Sequence, residues 1–405
     1  MQTGKFIGSC LILIGTTVGA GMLVLPLVSG MSGFLWASAL LVAVWALMTV
    51  TGLLVLEVNL ALDGSACSFS SMANRTIGNL GKVITWIVCL LLLYALTAAY
   101  MSGAASLLCS LMSSYGIYIP NFLDAILFTL VLGGTVFWST QATDYLNRGL
   151  ISIKGLLLLA SFIFLVPNVS SSNLLHLSGS VTTRCLSGML PVFLCAFGYH
   201  TVIPSLRIYI GDEPRTLRLI IISGTTTSLL VYLLWLLANL GVVPLVGEHS
   251  FTSIETNSGS IEELISIITL LTRSKWLTVA INGFSNIAMA TSFLGVTLGL
   301  FDFLADGFKF SNNRSGRFKT SLLTFTPPLV FAFYYPQGFL IALKYAAIFI
   351  TILGVVLPAL MAYKLRINKE LKLNYKVSGG NALLVAVLII GVTLVGVQMV
   401  FGSCG

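Results

Sequence analysis

Long apolar runs separated by short polar segments make up almost the whole chain. A helix rises 1.5 Å per residue, so about 20 apolar residues cross a hydrocarbon layer roughly 30 Å thick. On that measure the pattern predicts eleven membrane-spanning helices: 6–28, 33–60, 83–112, 122–140, 149–167, 185–209, 219–243, 277–304, 320–335, 339–363 and 381–401. The ninth is short and contains Pro327-Pro328, and only Pro336-Gln337-Gly338 divides it from the tenth. The first run, Phe6 to Val28, is longer than the apolar core of a signal peptide and is followed by no A-x-A site, so it reads as a span. No stretch is long enough for a soluble domain, so 1–405 reads as one transmembrane domain.

Composition agrees with this pattern. Apolar residues are 57% of the 405 and charged residues 8%, against roughly 25% charged in soluble chains. Such a surface suits a lipid bilayer. The net charge of +8 does not indicate nucleic acid, because the Lys and Arg sit in short loops without interleaved aromatics. Their placement instead orients the spans. With a cytoplasmic N-terminus, fifteen Lys and Arg fall inside and three (Arg184, Arg273, Lys275) outside. The consistency of that alternation supports eleven spans, with the N-terminus inside and the C-terminus outside. The seven Cys form no CxxC and read as small apolar residues; neither a disulfide framework nor a metal site is favoured. His176, His200 and His249 are far apart along the chain.

Two spans carry poor helix chemistry near the midplane. The first reads Gly15-Thr16-Thr17-Val18-Gly19-Ala20-Gly21-Met22, then Pro26. Glycines this dense weaken a helix, although they also serve close packing in membranes. The sixth has Pro191 and Pro204 on either side of Phe197-Gly198-Tyr199-His200. The two interruptions lie five spans apart. Five is odd, so the two halves would have opposite orientation, and paired interruptions of this kind point to a secondary-transporter site. Irregular backbone is tolerated in a membrane only where protein or a cavity satisfies it. Freed N–H groups suit a carboxylate and freed carbonyls suit an ammonium or cation, a pairing that fits a zwitterionic amino acid.

Each ionisable residue inside a span needs a reason, since a mid-membrane charge costs a few kcal/mol or more. Glu57, late in span 2, reads as a carboxylate capped near the interface or as a proton carrier. Lys154 either snorkels to the cytoplasm from span 5 or points inward to serve a transport cycle. His200 either titrates in the useful range or donates a hydrogen bond. Thr291 and Ser292, adjacent in span 8, either bond back to their own helix or ligate a cation.

These segments resemble the bacterial aromatic amino acid permeases, the tyrosine- and tryptophan-specific transporters. The resemblance is carried by Gly15 to Met22, by Leu56-Glu57-Val58-Asn59-Leu60, and by Phe197-Gly198-Tyr199-His200 with Val202, Pro204, Ser205 and Leu206. Ser292 to Asp302 with Leu304-Ala305-Asp306, and Thr324-Phe325 with Pro327-Pro328, extend it over essentially the whole chain. It implies the amino acid–polyamine–organocation superfamily and an all-α polytopic fold of the leucine-transporter type. In that fold two inverted five-helix repeats, here about 6–167 and 185–363, are followed by an extra helix at about 381–401. It further implies import of tyrosine or tryptophan by proton symport through a bacterial cytoplasmic (inner) membrane.

Carried over by resemblance, Thr16, Thr17, Gly19, Ala20 and Gly21 face the amino acid backbone, and Phe197, Gly198, Tyr199 and His200 complete the site. Tyr94 and Tyr100 pack on the substrate ring. Thr291 and Ser292 fall where sodium-coupled relatives keep hydroxyl ligands. Lys154 falls where some proton-coupled relatives keep a lysine whose ammonium stands in for sodium. Lys154, Glu57 and His200 are thus the proton-coupling candidates, and sodium coupling or another neutral amino acid is the alternative. An enzyme is disfavoured: the chain has no HExxH, GxSxG or GxxxxGK[ST], and no clustered His or Cys for a metal or haem. No cofactor is implied, and oligomeric state is not encoded in any spacing.

Overall fold

The structure, a computed structural model, describes residues 2–62, 68–114, 116, 121–175, 183–257, 259–367 and 375–402. Every regular element among them is helical. Nine stretches are long and apolar enough to cross a bilayer when the two pieces of span 1 are counted together. Two further helical stretches occupy the places of the expected fourth and ninth spans. The first, 121–138, is short and contains a π-helical turn at Thr129–Gly133. The second, Arg314–Tyr334, has Arg314, Arg317 and Lys319 in its first two turns, which lowers its apolar character. His176, Cys67 and Cys404 lie outside the described residues.

Several boundaries differ from the pattern. Span 5 begins at Thr140, nine residues earlier than expected, because Ser139 caps the Ala142 amide and a polar first turn extends the helix out of the apolar run. Short helices at Phe69–Ile77, Ser171–Leu175, Phe251–Thr256 and Ile261–Thr272 occupy connections that apolar periodicity did not predict.

Span 1 is Gln2–Thr17 and Gly21–Ser29, bent by 53° at the break. Span 6 is Thr183–Ala196, an unwound Phe197-Gly198-Tyr199, a 3₁₀ turn at His200–Val202, and Ile203–Ile210. The two prolines of span 6 act differently. Pro191 lies within the first half, while Pro204 opens the second half, where its missing N–H has no intrahelical partner to lose. Span 10 runs 339–367 with a π-helical turn at Ile352–Val356. Pro358 cannot donate to the Gly354 carbonyl, and the wider turn accommodates that lost bond.

Span 7 (Pro214–Val242) packs along spans 1 and 2 (Gly33–Ala61), and the first half of span 6 packs on the second half of span 1. Span 8 (Lys275–Phe308) lies along spans 5 and 3 (Asn79–Ser114), and span 10 lies along spans 3 and 6. The most apolar window of span 11 (Gly380–Gly402) is only 22% buried, against 56% for spans 2, 6 and 10. Span 11 is therefore peripheral and the broken helix 6 is central. Outward-facing Leu130, Leu156 and Trp276 are exposed, as a lipid-facing surface requires.

Candidate functional site

The two breaks lie side by side, with Gly21 of span 1 against the Ala196 backbone of span 6. At the first break Thr17 ends a helix, and Val18, Gly19 and Ala20 leave it before Gly21 starts another. The loosened backbone groups find partners on three other spans. Lys154 of span 5, buried, donates from Nζ to the Val18 carbonyl at 2.8 Å. The Ala20 amide donates to Ser292 Oγ of span 8 at 2.9 Å. Tyr232 of span 7 donates toward the Thr17 carbonyl at 2.5 Å and the Ala196 carbonyl at 2.8 Å. Thr17 Oγ1 meets Ser228 Oγ at 2.6 Å. Gly19 is required here, since a Cβ would stand 2.7 Å from Ser292 Oγ and displace the hydroxyl that caps Ala20.

At the second break Phe197 and Tyr199 are fully buried. Phe197 packs edge-on against Tyr232, ring centres 5.2 Å apart. Tyr199 donates to the Met48 carbonyl at 3.0 Å, and a side chain at Gly52 one turn on would collide with its ring. His200 Nε2 lies 2.9 Å from Thr51 Oγ1, which also donates to the Met48 carbonyl. His200 stacks on Tyr199, and its buried Nδ1, which has no hydrogen-bond partner among the described residues, faces Gly354 in the π-turn of span 10. Gly198 fits against Ile350 of the same span. Span 2 therefore holds the His200 side of the break, and span 7 the Ala196 side.

The structure gathers Thr17, Gly19, Ala20, Gly21, Lys154, Phe197, Gly198, Tyr199, His200 and Ser292 around the breaks, and gives four other candidates partners elsewhere. Thr16 is exposed and its Oγ1 donates to the Ile12 carbonyl of its own helix, so it faces away from the site. Thr291 Oγ1 likewise bonds back to the Ala288 carbonyl, leaving Ser292 alone of the hydroxyl pair at the break. Tyr94 donates to the Leu323 carbonyl of span 9 at 2.9 Å. That carbonyl is the one Pro327, four residues later, cannot serve, so Tyr94 repairs the proline's missing bond instead of facing a substrate ring.

Glu57 is the fourth. It is completely buried and paired with Arg366, whose Nε and Nη2 donate to Oε1 and Oε2 at 2.7 Å each. The Val377 amide adds a third donor. This carboxylate ties span 2 to the end of span 10 and the entry to span 11; it lies about 9 Å along the helix from Thr51. Tyr100 of span 3 packs against Phe339 of span 10, ring centres 6.3 Å apart.

Two residues of consequence escaped the sequence pattern. Tyr232 sits in an unremarkable apolar run. Arg207, buried at the end of span 6, reaches the Asn59 and Leu62 carbonyls that close span 2 and pairs with Asp212. Sequence spacing gives no signal for either, because their carbonyl partners lie from 36 to 215 residues away.

A multi-span helical bundle whose two broken helices meet at its centre is the architecture of a membrane transporter. The chain belongs to the tryptophan/tyrosine permease family, whose family model matches residues 2–398. It is a transport protein and not an enzyme. It is 36% identical over 395 residues to the tyrosine-specific transport system 2 of Haemophilus influenzae, covering 97% of this chain and 96% of that one. It is 34% identical over 390 residues to the tryptophan-specific transport protein of Shigella flexneri, covering 96% and 93%. In fold it is similar to the Eremococcus coleocola manganese transporter, crystallised with an aromatic bis-isothiourea substituted compound. That match has a TM-score of 0.68 at 13% identity and covers 99% of this chain and 86% of that one. The likeness is of fold alone, the all-α polytopic leucine-transporter type.

Proposed function

We propose that this protein imports an aromatic amino acid, tyrosine first and tryptophan second, by proton symport across a bacterial cytoplasmic membrane. Its N-terminus is inside and its C-terminus outside, a reading that the bias of Lys and Arg among the loops supports. The observation that carries the coupling is Lys154, buried in span 5 with its ammonium on the Val18 carbonyl inside the break. A cation is thus already present at the helix break, and a sodium ion beside it would be repelled. Loss of the lysine's proton would weaken its charge-assisted hydrogen bond to the Val18 carbonyl and loosen span 1. The substrate follows from family membership and from relatives named for tyrosine and tryptophan.

The packing supports an inverted repeat of about 6–167 and 185–363, with 381–401 as an addition. Spans 5 and 8 pack together as spans 10 and 3 do, and these pairs interchange on a shift of five. A zwitterion moving with one proton carries one net charge. At about 2.3 kcal/mol per 100 mV, a potential of ~150 mV supplies ~3.5 kcal/mol, roughly a few-hundred-fold accumulation.

Uptake of labelled tyrosine into proteoliposomes tests the reading, with all twenty amino acids as competitors and sodium replaced by choline at fixed pH. Competition by tyrosine and tryptophan alone, undiminished in choline, is expected. Collapse of uptake in choline would show sodium coupling.

A further inference from the structure

Tyr232 joins the two breaks through one hydroxyl. Its acceptors, the carbonyls of Thr17 and Ala196, are the last of the first halves of spans 1 and 6. Carbonyls at a helix end have no amide one turn later to receive; Thr17 has only a tight contact from the Gly19 amide at 2.9 Å. A phenol carries a single proton, so at any moment it can satisfy one of the two carbonyls. The other keeps a lone pair directed at the same point. Both helix ends also bring partial negative charge there. The ring cannot swing away, because it is fully buried and Phe197 packs edge-on against it.

We propose that Tyr232 is a positioning residue for amine recognition. Its hydroxyl holds the carbonyl ends of spans 1 and 6 at the separation that a substrate α-ammonium, with three N–H donors, bridges. Tyr232 thereby sets how strongly the transporter prefers an amino acid to the same molecule without its amine. This rests on the reading that an amino acid binds between the breaks.

The test uses full-length protein in liposomes and two competitors of labelled tyrosine uptake: unlabelled tyrosine and its des-amino analogue, 3-(4-hydroxyphenyl)propanoate. The ratio of the analogue's inhibition constant to that of tyrosine does not depend on how much protein folds. Tyr232→Phe, which keeps the ring, is expected to lower that ratio about tenfold, the equivalent of one hydrogen bond, by weakening tyrosine while leaving the analogue unchanged. A ratio within about twofold of the unsubstituted protein's, or parallel weakening of both competitors, overturns the role of Tyr232. If Tyr232→Phe gives no measurable uptake, 3-fluorotyrosine at position 232 keeps the shape and strengthens the donor. A ratio shifted at least twofold then supports the proposal, and an unchanged one overturns it. Failure of the underlying reading looks different: the unsubstituted protein would itself not distinguish tyrosine from the analogue, and the proposal would fall with it.

Discussion

Two buried cations in this protein are satisfied in opposite ways. At the end of span 10, Arg366 meets Glu57 through two hydrogen bonds, and the Val377 amide completes the carboxylate's shell. At the break of span 1, Lys154 meets a neutral carbonyl and, among the described residues, takes part in no salt bridge. Neutralising either member of the first pair strands the other charge in a dry interior. Taking the proton from Lys154 strands no opposite charge; it weakens one hydrogen bond in a segment already unwound. The first arrangement is a clamp between spans 2, 10 and 11, and the second leaves no opposite charge behind if the lysine is neutralised. The difference is why the proposed coupling rests on Lys154 and not on Glu57.

The largest expected effect falls on Lys154. Lys154→Gln should reduce accumulation from roughly a few-hundred-fold to near unity while tyrosine exchange between preloaded liposomes persists. Normal accumulation in that variant would erase the contrast between the two cations. Next, Glu57→Ala leaves Arg366 buried without its partner, a cost of about 3–5 kcal/mol, read as a large fall in melting temperature in detergent. Whatever uptake survives should keep the parent's pH profile; a shifted profile would make Glu57 part of the coupling.

A smaller effect separates the neighbouring hydroxyls. Ser292→Ala leaves the Ala20 amide unpaired, about 1–3 kcal/mol, seen as a raised KM for tyrosine. Thr291→Val, which removes only a bond back to its own helix, should change KM by less than about twofold. Equal effects would mean that both hydroxyls serve the site.

The smallest concerns the loop after span 6. The side-chain hydrogen bond from Arg207 holds the Asp212 carboxyl below the usual carboxylate range. A depressed carboxylate adds stability above its unfolded pKa of about 4 and loses it as pH falls through the folded value. Asp212 is 71% exposed, so solvent screening keeps the contribution under about 1 kcal/mol. The melting-temperature difference between the parent and Asp212→Asn should be a degree or two at pH 7, vanishing in acid.

Much of the fold could be read from the chain. Apolar length places the spans because lipid cannot hydrogen-bond a backbone, and the glycines of span 1 and the Phe-Gly-Tyr-His centre of span 6 mark both breaks. The candidate site was legible where the irregular backbone itself makes it, at Gly19, Ala20, Gly21, Phe197, Gly198, Tyr199 and His200. It was not legible where a side chain had two possible faces. Thr16 and Thr17 are neighbours of the same type, yet one points outward and the other meets Ser228. Adjacent helical residues diverge by about 100°, and only the neighbouring helices fix which of them turns inward. Tyr94 and Glu57 likewise had chemistry suited to a site, and their partners, Leu323 and Arg366, assign them to holding spans together.

The sequence by itself determined that this chain lives in a bilayer, where its helices run and where two of them fail, because hydrophobic length and helix propensity are local quantities. The tertiary structure alone decided which polar groups meet across those failures. Lys154 turns inward to Val18, Ser292 caps Ala20, and Tyr232 reaches both broken ends. Each of these contacts joins residues from 36 to 272 positions apart, and only the packing of whole helices brings such residues within hydrogen-bond distance.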